Sequence, residues 1–158
     1  MNKEKIHSLD LNPDIVIFSM ELADIITQKN PKKLNQFLKK HKDKIQIIKK
    51  VENGYDCVDF VFRNNTYYDS KIHNQLLLDN ISKVIPVLND LGYEIVKKSK
   101  TNDIVAFCFQ NKVLHYGKLL EDNWVEQKLG KFAIVKIKLE YTPTINGSNY
   151  FFIRKKTK

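Results

Sequence analysis

Nine lysines and a single acid, Asp43, fall between Lys29 and Lys50 in the run KNPKKLNQFLKKHKDKIQIIKK. Such a run can hold phosphates, because each lysine that neutralises one releases condensed counterion. Whether it does so depends on the lysines sharing a surface. On a helical wheel over residues 31–42, Leu34, Phe37, Leu38 and His41 occupy one arc, and Lys32, Lys33, Gln36, Lys39 and Lys40 occupy the opposite one. Lys49 and Lys50 follow on the next element. A second basic set lies near the C-terminus. There YFFIRKK interleaves Tyr150, Phe152, Arg154 and Lys156 on one face of a strand, with Lys136 and Lys138 expected on the strand beside it. Aromatic rings among cations on a sheet suit single-stranded nucleic acid, whose bases stack while its phosphates pair. The plainer explanation is a solvated lysine face and an aromatic core.

Other arrangements point to catalysis less strongly. Asp103 with Glu126 and Lys128 echoes the two carboxylates and lysine of metal-dependent nucleases, where a divalent ion and a steadied water do the chemistry. Asp56 and Asp59 flank Cys57 in a stretch that reads as a strand, which would put them on opposite faces. The histidines His7, His41, His73 and His115 show no metal-ligand spacing, and His41 closes an apolar stripe as a half-buried core residue would. Neither Cys57 nor Cys108 has a CxxC or Cys-His context, and both sit in apolar surroundings that suit buried, reduced thiols. Five glycines leave little room for a phosphate-binding loop, so no cofactor is expected.

The net charge of +9 is carried by 25 lysines and only two arginines, Arg63 and Arg154. Lysine, asparagine and isoleucine together are what an AT-rich coding sequence produces, so total charge says less than its distribution. Residues 1–28 sum to −3, 29–50 to +8, 51–95 to −4 and 96–158 to +8, with +7 of the last block in 127–158. Segregation of this kind leads to the expectation that the two basic blocks converge on one positive surface.

The positioning elements follow from punctuation and periodicity. Asn12-Pro13-Asp14 starts a helix through Ile15, Phe18, Leu22 and Ile25 that ends near Gln28, and Asn30-Pro31 starts another at once, making a helical hairpin. IQIIKK and DCVDFVFR around Glu52-Asn53-Gly54-Tyr55 read as a β-hairpin, 45–51 with 56–63. One long helix then runs from about Ser70 to Leu91, with Pro86 as an internal kink or early end and Gly92 as its stop. The rest reads as strands: YEIVKK, DIVAFCFQ (apolar on both faces, hence central), VLHYGKLL, FAIVKIKLEY and YFFIRKK, the last two joined as a hairpin through TPTINGSN. In FAIVKIKLEY, Ala133, Val135, Ile137, Leu139 and Tyr141 face one side. The fold class is α+β: an N-terminal helical hairpin plus β-hairpin, one long helix and a C-terminal, mainly antiparallel sheet. The chain reads as a single α+β domain over 1–158, residues 64–70 being the best internal boundary between 1–63 and 71–158.

The order of helix, short turn, basic helix and hairpin in ELADIITQKNPKKLNQFLKKH and ENGY resembles the winged-helix DNA-binding family over residues 13–63. That resemblance implies a second helix in the major groove and a wing on the backbone, with contacts from Lys32, Lys33, Gln36, Lys39, Lys40, Lys49 and Lys50. The chain departs from the family in having one continuous first helix and Asn-Pro in the turn.

The function expected from these features is non-enzymatic nucleic-acid binding, as in a small regulator. The alternative is a protein-interaction module, an inhibitor or adaptor that docks on an acidic partner. A metal-dependent nuclease is the third. Without a run of about 18 apolar residues or an apolar signal core in MNKEKIHSLDLNPD, the expected setting is the cytoplasm, with no membrane partner.

Overall fold

Asn12 and Asn30 act as the helix caps their positions promise. In the computed structural model, which describes residues 3–50, 56–63, 70–129, 133–142 and 147–157, the Asn12 side chain accepts from Ile15 N–H at 3.1 Å. This opens α1, Pro13–Gln28. Lys29 turns into the left-handed region (φ 50°), and Asn30 then accepts from the N–H groups of Lys32 and Lys33 to open α2, Pro31–Lys40. The helical hairpin is therefore as the caps indicate.

The next segment departs from expectation. Residues 56–63 were expected as the second strand of a hairpin, but they form α3, Cys57–Phe62. Asp56 Oδ1 accepts from Val58 N–H at 3.0 Å and Asp59 N–H at 3.2 Å, while Asp59 Oδ2 accepts from Asp56 N–H at 3.4 Å. This reciprocal capping box starts a helix despite the β-branched and aromatic run that follows. Burial of Cys57, Val58 and Phe62 against the sheet then outweighs a propensity difference of about 1 kcal/mol or less per residue. Substituting Asp56 by alanine is expected to cost about 1 kcal/mol in a urea titration, since both cap bonds disappear. The expected turn at 52–55 lies outside the described residues.

The long helix is two helices, α4 (Ser70–Leu76) and α5 (Ile81–Asp90). Between them Leu78 takes a left-handed turn (φ 61°), and the N–H groups of Leu78 and Ile81 bond to the carbonyls of Val113 and Asn111. The apolar periodicity continues through the break, but tertiary hydrogen bonds interrupt the helix and Asn80 caps α5 anew. Pro86 lies inside α5 without ending it, and Gly92 follows its end at φ 89°.

Among the described residues, eight strands form one antiparallel sheet: β1 (His7–Ser8), β2 (Ile45–Lys50), β3 (Tyr93–Val96), β4 (Ile104–Phe109), β5 (Lys112–Leu119), β6 (Trp124–Leu129), β7 (Ala133–Lys138) and β8 (Asn149–Lys155). Their order is β1-β8-β4-β5-β6-β7-β2, with β3 also on the outer edge of β8. The α+β class stands, and DIVAFCFQ is central, as its apolar faces require. Three details differ. β2 pairs with β7, across 90 residues of chain, instead of with 56–63. Strand β6 fills what read as a loop around Trp124. Strands β7 and β8 are not a hairpin, since β6, β5 and β4 lie between them. Gly147 precedes β8 at φ 105°, where a Cβ would come within 2.3 Å of the Cys108 carbonyl oxygen.

Helices cover both faces of the sheet, but over different strands. On one face α1 and α2 bury Phe18, Leu22, Leu34 and Phe37 against Ile45, Leu129, Val135 and Ile137. On the other, α3, α4 and α5 bury Phe62, Leu76, Val84 and Leu88 against Ala106, Tyr116, Phe151 and Ile153. Tyr116 O–H donates to the Leu76 carbonyl at 2.6 Å, fixing the end of α4 to the sheet. Cys57 and Cys108 are free thiols in this second layer, and burial pushes them up to about 11 and about 12. No helix among the described residues is long and apolar enough to cross a membrane.

Candidate nucleic-acid interface

The capping that fixes α2 also fixes where its lysines point. Leu34 and Phe37 are buried under the helix, so Lys32, Lys33, Gln36, Lys39 and Lys40 are all exposed on its outer side. Lys33 Nζ donates to Gln28 Oε1 at 3.0 Å. The helix contains no carboxylate. His41 ends the stripe half-buried, its ring 5.2 Å from that of Phe18 and 4.5 Å from that of Phe37. Burial, with Lys44 and Lys40 nearby, lowers its pKa.

Of the second basic set, Lys136 and Lys138 lie on the other side of the sheet. Val135 and Ile137 face α1 and α2, so strand alternation turns Lys136 and Lys138 to the α3–α5 face. The expected convergence into one surface is therefore corrected: the sheet separates the α2 lysines from Lys136 and Lys138. Lys49, exposed and opposite Ile134, also lies on the α3–α5 face, whereas Lys50 is placed only by its backbone pairing with Ala133. The expected pairing of Lys136 and Lys138 with the Tyr150 strand is likewise corrected, because three strands lie between. Charge alternation along a strand shows which residues share a face, but not which strand lies alongside.

Arg154 and Lys156 have different surroundings. Arg154 Nε donates to Asp103 Oδ1 at 2.8 Å, and Nη2 donates to Asp103 Oδ2 at 2.7 Å and to the Lys98 carbonyl at 2.9 Å. The bond to Asp103 raises the Arg154 pKa further. Lys156 is exposed, and its N–H bonds to the Gly92 carbonyl. Tyr150 stacks with His7 at the β1 edge and Phe152 packs against the same ring at a tilt; Phe152 is buried and Tyr150 half-buried.

The nuclease-like triplet is not assembled. Alternation puts Asp103 with Arg154 on the α1–α2 face, whereas Glu126 and Lys128 face the other way. Lys128 is almost wholly buried.

The structure does join residues that were not grouped from sequence. Asp56, Asp59 and His73 bring one ligand atom each within 4.8 Å of one another, and His73 Nε2 lies 2.5 Å from Asp56 Oδ2. The expectation that the two aspartates point apart is thus corrected, because helical geometry replaces strand alternation. Both carboxylates already cap α3.

A row of cross-strand partners runs over the α3–α5 face: Ile153, Ile104, Lys118, Glu126, Lys136 and Gln46, one from each of β8, β4, β5, β6, β7 and β2. Its apolar end lies beneath the helices, while Lys118 and Gln46 are exposed. Trp124, two residues before Glu126 on β6, pairs with Lys138. The ammonium groups of Lys136 and Lys138 lie 4.6 and 4.7 Å from its ring centroid. The turn at 121–123, with Asp122 and Asn123 left-handed, delivers Trp124 to this position, and Lys138 Nζ donates to the Asp122 carbonyl at 2.8 Å. Sequence reasoning missed Trp124 because β6 read as a loop. Alternation of Trp124, Glu126 and Lys128 with buried Val125, Gln127 and Leu129 was the available signal.

In comparisons with known protein families, curated proteins and solved structures, nothing matches this chain. The winged-helix likeness also loses its wing, since β2 pairs with β7 and residues 57–62 are helical.

Proposed function

We propose that the protein binds nucleic acid without acting on it chemically, with the outer face of α2 holding phosphates. The observation that carries this reading is the exposed group of Lys32, Lys33, Lys39 and Lys40 around Gln36, on a helix free of carboxylates. Each lysine there can neutralise a phosphate with no competing acid on its own helix. The resulting affinity is governed by counterion release.

The test is binding to random-sequence duplex and single strands over a salt series, with heparin retention as a control. Lys39→Glu combined with Lys40→Glu is expected to remove most of the binding and to flatten the log-log salt slope by about 2 on B-DNA, as for two lost phosphate contacts. Both residues are exposed, so the thermal transition should stay within about 1 kcal/mol of the parent. Unchanged affinity and slope would reject the α2 face. Retention on heparin with no binding to any nucleic acid would transfer the basic surface to an acidic protein partner.

A further inference from the structure

A cleft of about 420 Å³ opens on the α3–α5 face beside the Trp124 cluster. Phe60, Tyr93, Asn102, Lys118, Glu126 and Lys155 are among its lining residues. Two of these, Lys118 and Glu126, belong to the cross-strand row, and Lys136 is the partner of Glu126 on the far side. Trp124 lies on the same strand and face as Glu126, about 7 Å along. The cleft and the indole are thus neighbouring parts of one surface. It combines aromatic rings, two exposed lysines at the cleft (Lys118 and Lys155) and two half-buried lysines against the tryptophan.

We infer that this surface, formed by β5, β6 and β7 with the adjoining cleft, is a second binding site, for single-stranded nucleic acid. The inference rests on the nucleic-acid reading above for its class of ligand, but uses a different surface from α2. One base stacks against the Trp124 indole and a neighbouring base enters the cleft between Phe60 and Tyr93. Lys118, Lys136, Lys138 and Lys155 meet the phosphates. Asn102 and the Glu126 carboxylate offer hydrogen-bond partners to base edges, the acid accepting from amino groups. A duplex offers its phosphates but neither a free π-face for Trp124 nor an unpaired base to enter the cleft, because its bases are already stacked and paired. A single strand has free π-faces, and stacking on an aromatic side chain tolerates any base.

Trp124 is the one tryptophan in the chain, so its fluorescence reports on this site alone. The experiment titrates the full protein with short oligothymidylate, short oligouridylate, a duplex of equal length and heparin. Emission is followed alongside the anisotropy of labelled probes. Both single strands are expected to quench Trp124 saturably, their relative affinities showing whether DNA or RNA is preferred, while duplex and heparin leave emission unchanged. Lys118→Gln with Lys155→Gln, both exposed, is expected to weaken single-strand binding about tenfold without altering the fold. Trp124→Ala should do the same by anisotropy. Single-strand binding that leaves Trp124 emission unchanged overturns this site and spares the α2 reading. Quenching whose affinity is unaffected by Lys39→Glu with Lys40→Glu supports this site as separate from α2, and the α2 reading is overturned only where duplex affinity and its salt slope are unchanged in that variant as well. Equal quenching by heparin or duplex overturns base stacking, and no binding by any probe overturns both.

Discussion

Arg154→Ala is expected to destabilise the protein by about 3 kcal/mol and to leave nucleic-acid affinity per folded molecule unchanged. The guanidinium grips Asp103 with two bonds, at 2.8 and 2.7 Å, and the Asp103 side chain is only 4% exposed. The same carboxylate accepts from Lys100 N–H at 2.7 Å, so it joins β8, the start of β4 and the turn before it. Removing the cation leaves a buried carboxylate with one backbone donor. Breaking such a pair from one side costs far more than the pair contributes, because the remaining charge is desolvated without compensation. Arg154→Lys keeps the charge but loses the fork, and is expected to recover only part of the stability. Replacing both partners with apolar residues, Arg154→Met with Asp103→Leu, should cost less than either single change. Urea titrations of Arg154→Ala, Arg154→Lys, the double variant and its two single changes decide the matter. A single variant within about 1 kcal/mol of the parent, or one that folds normally yet loses binding, would return Arg154 to the interface that its place among Tyr150, Phe152 and Lys156 first indicated.

Acid is expected to weaken the fold through His115. Its ring is buried on the α1–α2 side, 5.9 Å from that of Phe107, and its Nε2–H donates to Gln127 Oε1 at 2.9 Å. Burial lowers the pKa to about 4, against a smaller raising effect from Gln127 and from Asp56. Between about pH 6.5 and 4 the unfolded chain therefore binds a proton that the native state refuses, so unfolding gains as pH falls. Stability from this group is complete above pH 6.5, declines below it, and is lost once pH passes below the folded value near 4. The loss is about 3 kcal/mol in all. His41, lowered chiefly by burial, acts in the same direction. Urea midpoints from pH 7 to pH 4 should fall in the parent and fall much less in His115→Gln. Parallel curves would show that His115 is not what the acid titrates.

Legibility of this sequence followed the range of the forces involved. Asn12-Pro13 and Asn30-Pro31 specify helix starts through bonds spanning two or three residues, and both helices are where those caps put them. The outward array of lysines on α2 is legible for the same reason: one helical turn decides which side is wet. The apolar character of 104–108 likewise announces a strand buried on both faces. Residues 57–62 show the limit. CVDFVF has strand-like residue types, and only a capping box followed by docking on β5 and β6 makes it helical.

What the chain determined alone was its class, its two helix caps and the face that the α2 lysines, Lys136 and Lys138 take on their own elements. Tertiary structure alone decided which elements are neighbours. It set β2 against β7, placed three strands between β7 and β8, put the α2 lysines on the opposite side of the sheet from Lys136 and Lys138, and brought Trp124 to lie against those two lysines. The physical reason is that hydrogen bonding and side-chain alternation act over a few residues, whereas strand order is settled by burying apolar area contributed by segments far apart in the chain, as in the pairing of Ile45 with Ile137 and of His7 with Tyr150.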